Sequence, residues 1–145
     1  MKNLSEDKVC QLAMSPLYVL YLVVSEHIAP EQISERHIVR SVECGLKWQL
    51  SLSEGIFELL RSNLHEFHEK FPRDYTEQGR ERWRAELLSA KDVFDIIAAP
   101  PVMIADFKEA LTGLVKFVAR GGAFRQKLQN PAMQRQAEWV EGVLA

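Results

Sequence analysis

Residues 15–28 read SPLYVLYLVVSEHI, and the way this run folds decides the class of the whole protein. Ser15 can cap a helix, and Pro16 then takes the first helical position, where its missing N–H costs nothing. Leu17, Leu20, Val24 and Ile28 fall on one stripe at helical spacing. Tyr18, Leu22 and Val23 occupy other faces, so a helix here is buried nearly all round. A buried strand competes, because the apolar run is short and partly β-branched. The cap, and an ordinary helical span before Pro30, favour the helix.

Outward from this run, proline and glycine divide the chain into helix-length pieces. A short opening piece over about residues 5–14 starts at Ser5, with Val9 and Leu12 on one side. Pro30 opens a third segment, EQISERHIVRSVECG, where Ile38 and Val42 lie one turn apart and Gly45 is the stop. A fourth starts with the capping-box spacing of Ser51 and Glu54. It carries the stripe Ile56, Leu60, Leu64, Phe67 and Phe71 up to Pro72. Asp74 and Glu77 repeat the capping-box spacing before a fifth, marked by Trp83, Leu87, Ala90, Phe94 and Ile97. It halts at Ala99-Pro100-Pro101. The sixth runs from there to Arg120 and aligns Ile104, Phe107, Leu111, Leu114 and Val118, and Gly121-Gly122 break it. Asn130-Pro131 starts the last, with Met133, Ala137, Val140 and Leu144 in register. No segment alternates at period two, and no Asn-Gly or Asp-Gly hairpin turn occurs. The pattern predicts an all-α fold: a bundle of about six or seven helices in a single domain over 1–145.

Bulk composition narrows the function classes. At 47% hydrophobic and 26% charged the chain is globular rather than disordered. A formal net charge of −2 leaves no excess of cations to neutralise a phosphate backbone, which argues against nucleic acid as a partner. Cys10 and Cys44 stand alone, without CxxC or zinc-ligand spacing, and fit free thiols in a reducing compartment. MKNLSEDKVC lacks the form of a signal peptide, and the run LYVLYLVV at 17–24 is far shorter than a membrane span. The expectation is a soluble cytoplasmic protein with protein partners and no cofactor.

Four constellations are candidates for chemistry. The acidic break carries Glu26, His27, Glu31 and Glu35 as potential metal ligands. A hard cation wants six to eight oxygens, whereas Glu31 and Glu35 also fit the first turns of a helix, where the dipole favours negative charge. HEFHE at 65–69 places His65 and His68 at i,i+3, a spacing open to a transition metal. It is not HExxH, Arg61 lies beside His65, and both histidines read as solvated polar residues. Arg73, Arg80, Arg82 and Arg84 alternate with Asp74, Glu77, Glu81 and Glu86, the mark of a mixed-charge exposed face, and Trp83 belongs to the apolar stripe. Cys44 follows Glu43, which disfavours a thiolate, and no GxSxG, P-loop or GxGxxG occurs.

Segments 17–46 and 111–144 echo each other: an apolar helix, a break, then an amphipathic helix, ending RSVECGL and AEWVEGVL. With Ile28, Pro30 and Glu31 in the first break, and Ala119, Gly121 and Gly122 at the second, this layout resembles the TerB-like (tellurite-resistance protein B) helical family. In that family the breaks carry an Asp-Gly step; here Ser25-Glu26 stand in its place, and Arg120 takes the place of the second aspartate. The resemblance implies two related helix–break–helix halves and a stress-associated role. It also implies acidic breaks able to hold divalent cations, a role weakened by Ser25 and Arg120. A non-enzymatic interaction or stress-response module is therefore expected. The alternatives are a small-ligand or divalent-metal-binding helical protein, and an enzyme with a site scattered over several helices.

Overall fold

The structure, a computed structural model, describes residues 6–25, 28–45, 51–96, 99–120 and 131–145. Among them lie seven α-helices and one 3-10 turn, and no strand. The helices are α1 (Glu6–Val24), α2 (Glu35–Gly45), α3 (Ser51–Ser62), α4 (Leu64–Lys70), α5 (Glu77–Ile96), α6 (Pro101–Ala119) and α7 (Pro131–Leu144). The 3-10 turn, Pro30–Gln32, precedes α2. The all-α reading is confirmed.

The decisive run is a helix, and it does not begin at Ser15. The two expected segments form one helix, α1, with Pro16 in its interior. An internal proline removes the N–H that would have bonded the carbonyl four residues back, here that of Leu12. The Ser15 hydroxyl donates to this Leu12 carbonyl at 2.6 Å. Ser15 and Leu12 are both fully buried. The serine read as a cap thus supplies the hydrogen bond that proline withholds, and the helix runs on through it.

Every described residue from 15 to 25 is buried. Helix α1 achieves this by packing against α5, α6, α7 and α3 at once. Its window Asp7–Val24 has a mean hydropathy of 1.2 over 18 residues, enough by length and composition to cross a membrane. In the fold 67% of that window is buried against other helices. Helix α2 lies mainly on α6, and α7 lies on both α6 and α1. The two helix pairs of the sequence echo pack differently: α7 lies against its own preceding helix α6, whereas α2 barely meets α1.

An aromatic knot joins α1 to α5 through the segment after α4. Tyr21 lies 4.4 Å from Phe71 and 5.7 Å from Trp83, centroid to centroid, and Tyr75 stands edge-on to Trp83 at 5.5 Å. Trp83 is fully buried and its indole N–H donates to the Pro72 carbonyl at 2.8 Å. The sequence reading of Trp83 as core is correct.

Helix boundaries depart from the expected caps for local reasons. Pro30 opens only the 3-10 turn. Helix α2 starts after Ser34, whose hydroxyl accepts the His37 N–H at 3.3 Å while His37 Nδ1 accepts the Ser34 N–H at 3.1 Å. Histidine here does what Glu or Gln does in a capping box. The stripe from Ile56 to Phe71 is interrupted at Asn63. Its side-chain amide donates to the Leu59 carbonyl at 2.9 Å, competing with the helical ladder and separating α3 from α4. Helix α3 begins at Ser51 as expected, but the Ser51 side chain is outside the described residues, so its capping role is too. Helix α5 is capped by Thr76, not Asp74: the Gly79 N–H donates to Thr76 Oγ1 at 3.2 Å. Asp74 instead accepts the Thr76 N–H at 3.0 Å in an Asx turn. A Cβ at Gly79 would lie 1.9 Å from the Asp74 carbonyl oxygen, so only glycine closes this turn. Helices α6 and α7 begin at Pro101 and Pro131 as read; Ile97 and Asn130 lie outside the described residues.

Two outcomes test these assignments. Ser15→Ala leaves the buried Leu12 carbonyl unsatisfied and should destabilise the fold by about 1–3 kcal/mol in urea denaturation. In a Pro16→Ala background the restored N–H serves that carbonyl, so the same substitution should cost measurably less; additive costs would refute the compensation. Gly79→Ala should destabilise by roughly 1–3 kcal/mol, because the new methyl collides with backbone rather than with a flexible side chain.

Candidate functional site

A groove of about 640 Å³ lies between α5 and α7. Helix α5 contributes Glu77, Glu81, Arg84 and Leu88, and α7 contributes Arg135, Gln136 and Trp139. Alanines at 85 and 132 leave the space between them open. Arg84 organises the site. Its side chain is only 16% exposed. One nitrogen, Nη1, pairs with Glu77 at 2.9 Å and with Glu81, while Nη2 donates to Gln136 Oε1 at 2.9 Å. Its guanidinium carbon lies 6.0 Å from the Trp139 ring centroid. The hydrogen bond from Arg84 holds the Glu77 carboxyl below the usual carboxylate range. Leu88 is 43% exposed at the same wall.

Neither Leu88 nor Trp139 belongs to its helix's buried stripe. Trp83, Leu87, Ala90 and Phe94 face inward on α5, and Met133, Ala137, Val140 and Leu144 on α7. Both helices thus carry a second, off-stripe apolar residue, and the fold places the two in one groove. Reading each helix by its main stripe passes over these residues. The legible signal is a large apolar side chain one position off the register, and it says nothing about which other helix it will meet.

Arg84 and Arg80 correct the reading of 73–84 as a solvated face. Arg80 is 14% exposed in its side chain. Its Nε donates to Ser25 Oγ at 3.0 Å, and Nη2 donates to the Ser25 carbonyl at 3.2 Å. The guanidinium thereby sits on the C-terminal end of α1, where a cation is favoured by the helix dipole. Ser25 is buried and engaged by an arginine.

The proposed metal residues do not converge in the described part of the chain. Glu26 and His27 lie outside the described residues. Glu31 is exposed in the 3-10 turn. Glu35, at the first position of α2, accepts a hydrogen bond from His65 Nδ1 at 2.9 Å, and His65 Nε2 lies 3.2 Å from Glu69. Among the described residues no group of three or more His, Cys, Asp or Glu side chains is arranged to hold a metal ion. Cys10 is half-buried on α1; the Cys44 side chain lies outside the described residues.

HEFHE divides in two. His65 is exposed, as read, and Glu35 raises its pKa above the ordinary histidine value. His68 is not solvated: it is 5% exposed and its Nε2 lies 2.7 Å from Tyr21 Oη, a buried hydrogen bond. Leu64, His68 and Phe71 follow at i, i+4 and i+7, so His68 occupies the inward stripe of α4. Burial, reinforced by Arg73, pushes its pKa down, and burial pushes that of Tyr21 up to about 12. Arg73 donates to the His68 carbonyl at 2.9 Å.

A second hollow of about 680 Å³ lies at the C-terminal edge, where Phe94, Ile104 and Leu144 meet Lys108. Lys108 Nζ stands 5.7 Å from the Phe94 ring centroid. It has apolar walls but no arginine fixed by several hydrogen bonds. Comparison with protein-family models, with curated proteins and with solved structures returns no match to this chain.

Buried neutral His68 makes stability depend on pH. Its folded pKa is depressed below the ordinary value of 6.5, so the unfolded chain binds more protons as pH falls. The His68 contribution is complete above pH about 6.5 and is lost as pH drops from there toward its folded value. His65 acts in the opposite sense: its contribution is present below about pH 6.5 and fades as pH rises through its raised value. Urea denaturation at pH 7.5 and 5.5 should show lower stability at the acid end, and His68→Gln should remove most of that difference. An unchanged pH dependence in the variant would locate the effect elsewhere.

Proposed function

We propose that the protein is a non-enzymatic helical interaction module of the cytoplasm, which docks a partner protein in the groove between α5 and α7. The observation that carries this reading is the pairing of Arg84 and Trp139 beside an exposed Leu88. Arginine and tryptophan are the residues most often responsible for binding energy at protein interfaces. Arg84 is already immobilised by Glu77, Glu81 and Gln136, so binding a partner costs little further side-chain entropy. Leu88 supplies apolar surface that gains from being covered. The groove walls hold no serine, cysteine or histidine among the described residues, so they offer binding contacts rather than a nucleophile and its base.

The resemblance to TerB-like proteins supports a stress-associated setting for such a module. A divalent cation at the first break is disfavoured by two arrangements. Arg80 fixes a positive charge at Ser25, and Glu35 is engaged by His65. The reducing, cytoplasmic setting is supported by the sequence, where Cys10 and Cys44 form no CxxC or zinc-ligand spacing, and by burial of most of the apolar window of α1 within the bundle.

Panning a phage-displayed library of helical peptides against the full chain tests the docking role. Enriched sequences should share apolar residues at i, i+3 or i+4, and i+7. They should bind Leu88→Glu about tenfold more weakly or worse, a loss of 1.4 kcal/mol or more. That variant should fold like the wild type by circular dichroism and melting, since the site is at the surface. Absence of an enriched family, or equal binding to the variant, overturns the reading.

A further inference from the structure

Resting on the docking reading above, we infer that the groove takes an acidic amphipathic helix, with a carboxylate of the occupant seated between Arg135 and the indole N–H of Trp139. On the α5 wall both carboxylates have partners: Glu77 and Glu81 pair with Arg84, and Glu77 also lies 3.8 Å from Arg80. Across the groove Arg135 is exposed and has no ion-pair partner among the described residues. The indole N–H of Trp139 likewise has no hydrogen-bond acceptor among them. Arg135 and Trp139 stand at i and i+4 on α7, so their side chains are neighbours on one face, both lining the groove. Two adjacent donors, one cationic and one neutral, suit a carboxylate. Leu88 opposite them receives the apolar side of the same occupant.

A helix suits the groove better than a strand. Both walls are helices whose backbone groups bond within themselves, so an extended peptide would find no ladder to join. A helix satisfies its own backbone and presents anchors at i, i+3 or i+4, and i+7. An occupant of about 14 residues, roughly 21 Å long, matches the length of α7.

The test uses two synthetic helical peptides of that length with leucines at identical positions, one flanked by glutamates and one by lysines. Each is titrated calorimetrically into the full-length chain. Wild type should bind the acidic peptide at least about tenfold more tightly than the basic one, with the affinity falling as salt rises. Arg135→Glu should reverse that order, and Leu88→Glu should weaken both peptides. Preference for the basic peptide, or none, overturns the acidic occupant; if Leu88→Glu still abolishes binding, the docking face itself survives. Indifference to Leu88→Glu removes the docking face as well. If neither peptide binds while panned peptides of another charge do, the charge class is refuted. Concentration-dependent self-association by light scattering, lost in Arg135→Glu, would make a second copy of this chain the occupant and overturn the peptide.

Discussion

The fold depends on covering one helix from every side. Helix α1 is apolar around its circumference from residue 15 onward, and water cannot be left on any face without exposing leucine, valine or tyrosine. Each fully buried aliphatic or aromatic side chain contributes about 1.5–3 kcal/mol relative to exposure, so a helix of this composition outweighs local preferences in its neighbours. Helices α3, α5, α6 and α7 are arranged around it as a consequence. The internal proline is accommodated for the same reason. The helix is held by its surroundings, and the Ser15 hydroxyl answers the one carbonyl left without a donor.

Arginines, rather than the acidic residues that first draw notice, tie the periphery to this core. Arg80 reaches the end of α1 through Ser25. Arg84, one turn on, reaches α7 through Gln136 and lies toward Trp139. Their planar guanidinium groups make several directed hydrogen bonds at once, which a lysine in the same place would not. The glutamates between them serve as partners that hold the forks in position. A segment that looks like an alternating surface is therefore a pair of cross-ties, and Arg84 spans the groove between α5 and α7.

Polar groups inside the bundle follow the same economy. Tyr21 and His68 satisfy each other in the aromatic knot, so burying them costs little beyond the loss of solvation. Two buried hydroxyls, Ser41 Oγ and Tyr75 Oη, have no such partner among the described residues. Tyr75 is packed edge-on against Trp83 and Tyr21, where ring contact offsets the unbonded hydroxyl. For Ser41 the structure offers no compensating contact.

What the sequence determined by itself was the set of helices and their inward faces. Trp83, Leu87, Phe107, Leu111, Val118, Met133 and Val140 are buried where their 3.6-residue spacing puts them, because the period is a property of each helix alone. Local hydrogen bonding blurred the ends. Serine, threonine and asparagine can each serve a cap, a turn or a carbonyl, and only the neighbouring backbone selects among these roles, as at Ser15, Ser34, Asn63 and Thr76. The candidate site was the least legible part. Arg84 and Gln136 are 52 positions apart, as Tyr21 and His68 are 47, and nothing in either local pattern specifies the other. Periodicity states which face of a helix turns inward, whereas the partner across the gap is set by how whole helices pack. The tertiary structure alone decided that His68 is a buried partner of Tyr21, that Glu35 meets His65, and that α5 and α7 leave a groove between them.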